Sequence, residues 1–491
     1  MKAEEIDCTR PGNEAAGDRG DLGIREAFSR DPRDLIVGGH TLVPTLDGTL
    51  RPYVNLDSAA STPIARPVKD TVDHFLEWYA AVHRGSGFKS QLSSLAYEQA
   101  RERLARFVGA DLTDRCLIFV RNATEAINRC ANRIPLSEGD VVLTSLMEHH
   151  SNILAWRRRC AHVESVSVDE FGMPVLEDLE KRLRANAGHV KLVAISGGSN
   201  VTGIIPDVKG IARATHEAGA MLLVDAAQLA PHRPIDMGAM GDAESIDFLA
   251  FSGHKMYAPL GCGVLIGPHT AFEGGIPDLV GGGTVLFVSE EEEMWGGPPD
   301  SEEAGSPNVV GAVGMAAAAR FLADDLGWDE VVRHERELTS YALGKLNEIP
   351  GLTIYGPRDP GLAQDRLGVI AFNLEKVHHQ LTAAILSHEY AIGTRTGGFC
   401  AHPYLMRLFG IGSDSVHTLR DEVVGGDRRN MPGAVRMSFG FYSTRDDVDA
   451  IIQALWDIQN GKWRGDYTQN PNSGEYKPTS EQTSPAGWFN I

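Results

Sequence analysis

Residues 252 to 255 read Ser-Gly-His-Lys and follow a mostly apolar run, Ile246 to Phe251. Earlier in the chain a second short run, Met221 to Val224, ends in Asp225, and Gln228 comes soon after. A carboxylate at the end of one strand and an amine just past the next can meet at one sheet edge. Together they suit pyridoxal 5'-phosphate (PLP). The Lys255 amine would condense with the aldehyde, and Asp225 would keep the ring nitrogen protonated.

Other polar residues are placed at expected strand ends in the same way. Asn122-Ala123-Thr124-Glu125 follows an apolar run and opens a helical pattern. The free N–H groups of a helix start attract phosphate, and Thr124 adds a hydroxyl; an ordinary helix cap would look the same. Ser252 and His254 flank Lys255 and could reach the same phosphate. His149 follows another run, and its flat ring suits the pyridine face. Asn200 and Gln228 are candidates for the ring hydroxyl. Singly each has a bland reading: a lone lysine after a strand is usually a surface residue, and a His pair such as His149-His150 is usually polar surface.

The elements that must position these groups alternate. Leu117 to Val120, Val141 to Thr144, Val190 to Ser196, the runs ending at Asp225 and Phe251, and Gly263 to Ile266 read as strands. Thr124 to Arg133, Asn152 to Cys160 and Val208 to Ala218 read as helices between them. Apolar strands separated by helices predict an α/β fold with a mainly parallel sheet covered on both faces. Sites in such sheets gather at the carboxyl ends of the strands. Beyond residue 330 the texture becomes α+β: a helix near Trp328 to Asn347, Leu352 to Tyr355, Gly368 to Leu374, a helix near Gln380 to Glu389, and Ala434 to Phe439. The expected division is an N-terminal extension (1–50), a large cofactor domain (51–325), a small C-terminal domain (326–460) and a tail (461–491). The extension is expected to be ordered in part at best. The tail carries aromatic anchors, Trp463, Tyr467, Tyr476, Trp488 and Phe489.

Bulk properties narrow the class. The 491 residues carry 46 basic and 66 acidic side chains, a formal charge of −20. That acidity argues against nucleic acid or an anionic membrane as the main partner and favours simple solubility. Cys8, Cys116, Cys130, Cys160, Cys262 and Cys400 are scattered, with neither a paired nor a metal-like spacing, as in a reducing compartment. No metal is expected. With no signal-like N-terminus and no run of spanning length, the expectation is cytoplasmic.

The joint pattern resembles class V aminotransferase-fold PLP enzymes, and most of all their cysteine desulfurase and selenocysteine lyase branch. The stretches that carry it are Leu56-Asp57-Ser58-Ala59-Ala60, Ala81-Val82-His83-Arg84-Gly85, Glu125-Ala126-Ile127-Asn128, Met147 to Asn152, Ser199-Asn200-Val201, Val224-Asp225 with Gln228, Phe251 to Lys255 with Tyr257, Gly281-Gly282-Gly283-Thr284, Glu303-Ala304-Gly305, and Arg395-Thr396-Gly397 with Cys400-Ala401. The resemblance spans roughly residues 50 to 460. It implies PLP fold type I, covalent attachment at Lys255, Asp225 at the ring nitrogen and His149 stacked on the ring. It implies a homodimer in which Thr284 reaches the neighbouring subunit's phosphate. It places Arg395 on the substrate carboxylate, with Arg436 assisting and His83 and Arg84 on the substrate side; guanidinium–carboxylate pairing suits an α-amino acid. Cys400 matches the nucleophile that takes sulfur as a persulfide, for delivery to a sulfur acceptor protein. An ordinary buried thiol is the commoner fate of a cysteine, and the other five are assigned to it. Arg395 and His402 are the candidates to favour the Cys400 thiolate.

Several positions depart from the desulfurase pattern. Gly197-Gly198 stands where a His is usual, and Asp300-Ser301-Glu302 where an Arg precedes the Glu-Ala-Gly motif. Gly398-Phe399 replaces a polar or His-containing pair before the cysteine. An insertion runs from about Ile411 to Met431. The run Gly433 to Gly440, with Ser443-Thr444, is closer to the PLP domain of molybdenum cofactor sulfurases. The cofactor side is intact and the substrate side altered. The expected function is therefore PLP-dependent C–S cleavage of cysteine or a derivative. A β-eliminating lyase on a bulky S-substituted cysteine, a decarboxylating, epimerising or transaminating relative, and a non-catalytic sulfur-carrier scaffold remain open.

Overall fold

The computed structural model of the chain describes residues 17–83, 85–480 and 487–489. Seven strands form the main sheet: β1 (Arg115–Val120), β2 (Val141–Ser145), β3 (His162–Val166), β4 (Val190–Ser196), β5 (Met221–Asp225), β6 (Phe248–Ser252) and β7 (Gly263–Pro268). Their order across the sheet is β1-β7-β6-β5-β4-β2-β3. β6, β5, β4, β2 and β3 run parallel, and β7 is antiparallel to both its neighbours. β1 therefore points the same way as β6, and its end joins the carboxyl edge of the parallel strands. The strands are short and almost wholly buried, so helices must cover both faces. This is the expected α/β architecture. β3 was not foreseen, because His162–Val166 is polar and only partly buried at the far edge.

The carboxyl edge is fixed by register. Ser196 pairs with Asp225, and Asp225 with Ala250, so β4, β5 and β6 end almost level. Helix α1 (Ala123–Arg133) starts beside them, its Asn122 side chain accepting from the Glu125 N–H. The approach is close at Gly263: a Cβ there would lie 2.7 Å from Asn122 Cα and 2.8 Å from the Phe251 carbonyl. Helix α2 (Ser151–Arg159) follows β2 in the same manner.

A second sheet of four antiparallel strands comprises β8 (Leu352–Tyr355), β9 (Val369–Leu374), β10 (Arg395–Gly397) and β11 (Ala434–Ser438), in the order β8-β9-β11-β10. It has its own core around Phe372, Met437, Leu343 and Leu455. Hydrogen bonds tie the two sheets across the site. Ser438 Oγ accepts from the Ala59 N–H at 2.9 Å, and Tyr257 Oη accepts from the Phe441 N–H at 3.0 Å.

The chain ends are more structured than composition suggested. Residues Gly17–Arg30 are helical, Phe28 is buried against His334 and Phe441, and a hairpin pairs Leu42–Pro44 with Leu50–Pro52. Residues 461–480 lie along the helix His379–Tyr390 that packs on the second sheet. Glu389 accepts from the N–H groups of Arg464 and Gly465 and from Tyr467 Oη, and Trp463 and Tyr467 pack on the core. Trp488 and Phe489, read as anchors, are exposed. The insertion carries a helix, Ser413–Val424.

One buried carboxylate holds the edge strand that leads into α1. Glu303, from the Glu-Ala-Gly motif, accepts from both terminal nitrogens of Arg101 at 2.9 and 3.1 Å, from Tyr97 Oη at 2.6 Å and from the Phe119 N–H at 2.7 Å. The last bond satisfies an N–H on the open edge of β1. Removing the carboxylate leaves the buried Arg101 with only the half-exposed Glu98 and the Leu117 carbonyl as partners. Glu303→Ala is therefore expected to cost roughly 3–5 kcal/mol of folding stability, read as a lower denaturant midpoint.

Candidate active site

The strand ends and the β10 loop enclose a cavity of about 560 Å³. Ala123, Thr124, His149, Asn200, Asp225, Gln228, Ser252, His254, Lys255, Arg395, Cys400 and Arg436 all line it. These residues lie far apart in the chain and are brought to one place by the carboxyl edge of the main sheet and the facing second sheet. His83 and Thr284 do not line this cavity. His83 is exposed and edge-on to Tyr97, and Thr284 is buried with its hydroxyl on the Gly281 carbonyl at 2.8 Å. Arg84 lies outside the described residues.

Asp225 ends β5 and is 6% exposed, with one carboxylate oxygen accepting from the Ala227 N–H at 3.0 Å. Lys255 closes the single turn after β6. Burial lowers its amine to about 8; the Asp225 carboxylate opposes that shift and Arg436 adds to it. Burial likewise raises Asp225, against the Ala227 hydrogen bond and the Lys255 charge. His149 falls to about 4, first through burial and then through Lys255, so its ring is neutral at physiological pH. The Ser151 N–H points at His149 Nδ1 at 3.2 Å. A backbone N–H can only donate, so Nδ1 carries the lone pair and Nε2 the proton. His254 also falls to about 4, by burial and then Lys255.

At the start of α1, Ser252 Oγ accepts from the Ala123 N–H at 2.7 Å, and Thr124 Oγ1 meets Ser151 Oγ at 2.7 Å. Gln228 donates to the Ala59 carbonyl at 2.7 Å, which leaves its buried Oε1 without a protein partner.

The opposite wall comes from the second sheet. Arg395 and Arg436 are direct cross-strand partners. Like charges in that position repel, and Asp57 lies between them. Its Oδ1 is 3.0 Å from an Arg436 terminal nitrogen and its Oδ2 3.3 Å from Arg395 Nε. Arg436 is 3% exposed and also donates to the Asn200 carbonyl at 3.0 Å; its Nε has no partner. Arg395, which the sequence placed first on the substrate, is the outer of the two, with half of its side chain exposed.

Among the described cysteines, Cys116, Cys130, Cys160 and Cys262 are buried and Cys400 is exposed. Phe399 and Cys400 both take positive φ, 48° and 53°. Their loop is pinned: the Phe399 carbonyl accepts from Asn200 at 2.7 Å and the Cys400 carbonyl from the His150 N–H at 2.7 Å. Phe399, one of the departures from the desulfurase pattern, lies against the Arg436 guanidinium, 5.0 Å from ring centre to Cζ. At the Gly198 departure an added Cβ would meet Leu367 at 2.8 Å.

Sequence reading gave Asp57, Ser196 and Phe399 no role in the site. Asp57 stood in a quoted motif, but its pairing with two arginines far along the chain left no local signal. Glu148 was also missed. It is fully buried next to His149 in the chain, accepts from Ser145, Asn152 and Ser196, and is raised by burial to about 7.

A lysine and an acid at the carboxyl edge of a parallel sheet, faced by arginines from a second sheet, define a PLP-dependent enzyme of fold type I. The aminotransferase class-V family model matches residues 54–451. A probable cysteine desulfurase of Halalkalibacterium halodurans is 38% identical over 425 residues, covering 84% of this chain and 95% of that protein. A cysteine desulfurase of Haloferax volcanii is 34% identical, covering 85% and 92%. The apo structure of a cysteine desulfurase from Thermococcus onnurineus superposes with a TM-score of 0.72 at 31% identity, covering 83% and 95%. An Escherichia coli cysteine desulfurase structure with an S-sulfonic acid gives 0.69 at 30%, covering 84% and 96%. The chain belongs to the class V aminotransferase family, in its cysteine desulfurase-like branch.

The residues present suit the family's cofactor. Thr124 and Ser252 offer donors at a helix start, Asp225 is a buried acid, and Gln228 Oε1 is an orphan acceptor. Lys255 must be unprotonated to attack an aldehyde, and that form dominates above about pH 8. Capture of PLP by the apoprotein is therefore expected to accelerate through pH 8 and level off above it. An ordinary lysine would keep gaining toward ~10.4. Stopped-flow absorbance across pH 6.5–10 checks this.

Proposed function

We propose that this protein is a PLP-dependent cysteine desulfurase that moves the sulfur of cysteine onto Cys400 and releases alanine. The observation that carries the reading is an exposed cysteine lining the same cavity as Lys255, Asp225 and two arginines.

The N–H and hydroxyl of Thr124, with Ser252 and His254, would hold the cofactor phosphate at the α1 start. Asp225 would keep the ring nitrogen protonated, the neutral His149 would cover the ring face, and Gln228 with Asn200 would meet the ring hydroxyl. Bound PLP supplies an electron sink for charge that develops on the substrate α-carbon. Arg436 would take the substrate carboxylate from within and Arg395 from the mouth, each loosening its hold on Asp57. Lys255 Nζ would carry a proton away from Cα and return one on the β-carbon side. The Cys400 thiolate would attack the substrate sulfur. An S–S bond forms, the C–S bond breaks, and its electron pair passes to Cβ, which takes up a proton. The products are alanine and a Cys400 persulfide, so atoms and electrons balance without an added oxidant or reductant.

The exposure of Cys400 supports onward delivery to an acceptor protein. A homodimer is supported by the position of Thr284, away from its own cavity and next to a hairpin with exposed Leu286, Phe287, Val288 and Met294. No helix among the described residues is long and apolar enough to cross a membrane.

Lys255→Ala is expected to lose the visible absorbance of the bound cofactor and to lower turnover roughly 10²–10⁴-fold or more. Cys400→Ala is expected to keep that absorbance and to stop alanine and sulfide release from cysteine. Undiminished alanine release by Cys400→Ala would refute the persulfide route.

A further inference from the structure

Three residues from three segments close a circle of contacts on the substrate wall. The Arg436 guanidinium lies over the Phe399 ring, 5.0 Å from Cζ to the ring centre. Arg436 Nη1 donates to the Asn200 carbonyl at 3.0 Å, and the Asn200 side-chain amide donates to the Phe399 carbonyl at 2.7 Å. All three residues line the cavity and are buried. Phe399 takes a positive φ, which a bulky residue adopts only when its surroundings impose it. The bond from Asn200 is part of what holds it there. Phe399 is also a position where the chain departs from the desulfurase pattern, with a phenyl ring in place of a polar side chain.

The ring treats the cation differently from its other partners. Burial pulls the Arg436 guanidinium below its ordinary value, and Asp57 opposes that shift. Asp57 and the Asn200 carbonyl each accept from a guanidinium N–H, and Nε has no partner. The face of a phenyl ring attracts a cation through its quadrupole. It has no lone pair, so it offers no acceptor that would compete with a carboxylate for the N–H groups. The ring also fills a place where water would otherwise solvate the charge. A guanidinium held in this way has donors to give and little freedom to lose, and both favour a charge pair with an incoming carboxylate.

We propose that Phe399 is a positioning residue for substrate recognition: its aromatic face holds Arg436 ready for a carboxylate, and so makes the site select amines that carry one. Removing the face gives the guanidinium freedom and water on that side, and both weaken an ion pair made there. Phe399 acts only through Arg436, and the proposal rests on the carboxylate-binding role given to Arg436 above.

The test is ligand binding to the holoenzyme, read from the change in cofactor absorbance, with L-alanine and with ethylamine, which is alanine without its carboxyl group. Neither ligand carries sulfur, so no transfer to Cys400 enters the measurement. Phe399→Leu and Phe399→Met keep an apolar side chain and remove the aromatic face. Each is expected to weaken alanine binding on the order of tenfold, as for loss of a desolvated cation–π contact, and to leave ethylamine binding unchanged. Phe399→Tyr keeps the face and should bind both ligands like the parent. Arg436→Gln should weaken alanine further and again spare ethylamine. If Arg436→Gln weakens alanine while both apolar variants bind it as the parent does, the proposal is overturned and the carboxylate role of Arg436 stands. If the apolar variants weaken both ligands equally, or both lose the cofactor absorbance, the ring is merely structural and the proposal is again overturned. If Arg436→Gln leaves alanine binding untouched, the carboxylate role itself has failed and the role of Phe399 falls with it.

Discussion

Burial of one amine beside one carboxylate governs this site. Lys255 and Asp225 stand at the ends of neighbouring strands, in a crevice where solvation of either charge is poor. Desolvation lets the lysine lose its proton above about pH 8, well below an ordinary amine, and makes the acid hold its own more tightly. Both effects need a level sheet edge, and the register of β4, β5 and β6 supplies it. The tight approach of Gly263 to Asn122 then brings the α1 start to the same edge. Any shift of register would separate the amine from the acid and the α1 start from both.

The substrate wall follows a different rule. Two arginines stand directly opposite each other on β10 and β11, an arrangement that is unfavourable unless an anion lies between them. Asp57 is that anion in the resting protein. A substrate carboxylate offers the same chemistry, so the proposed binding would exchange one carboxylate for another. Such an exchange would keep the buried Arg436 paired throughout and avoid the cost of an isolated charge. It also explains why a residue near the chain's beginning belongs to a wall built near its end.

The loop at 397–402 shows how the chain accommodates its departures from the desulfurase pattern. Two consecutive non-glycine residues in the left-handed region cost about 1–3 kcal/mol each. Hydrogen bonds from Asn200 and His150 to the Phe399 and Cys400 carbonyls hold them there. Phe399 gives up a polar side chain and gains a contact with Arg436. Cys400 on this loop is exposed and lines the cavity, whereas the other described cysteines are buried.

Local sequence was enough to determine the alternating strands and helices, the Lys255–Asp225 pair and the helix start at Ala123. Each of these is written in a short apolar run followed by a polar residue, and strand ends in a parallel sheet necessarily share an edge. The second sheet was legible for a similar reason, through its helix–strand texture. Only the tertiary structure decided what depends on contacts between distant segments. Asp57 bridges two arginines, Glu303 seals an open strand edge, and His402 occupies the space at Gly398. None of these leaves a local trace, because a hydrogen bond or shared volume between residues far apart in the chain, or across a strained turn, is fixed by backbone path and not by composition. The helix at Gly17–Arg30 escaped sequence reading because its segment is polar and weakly periodic, whereas the tail anchors Trp463 and Tyr467 were legible as aromatic residues in a polar stretch.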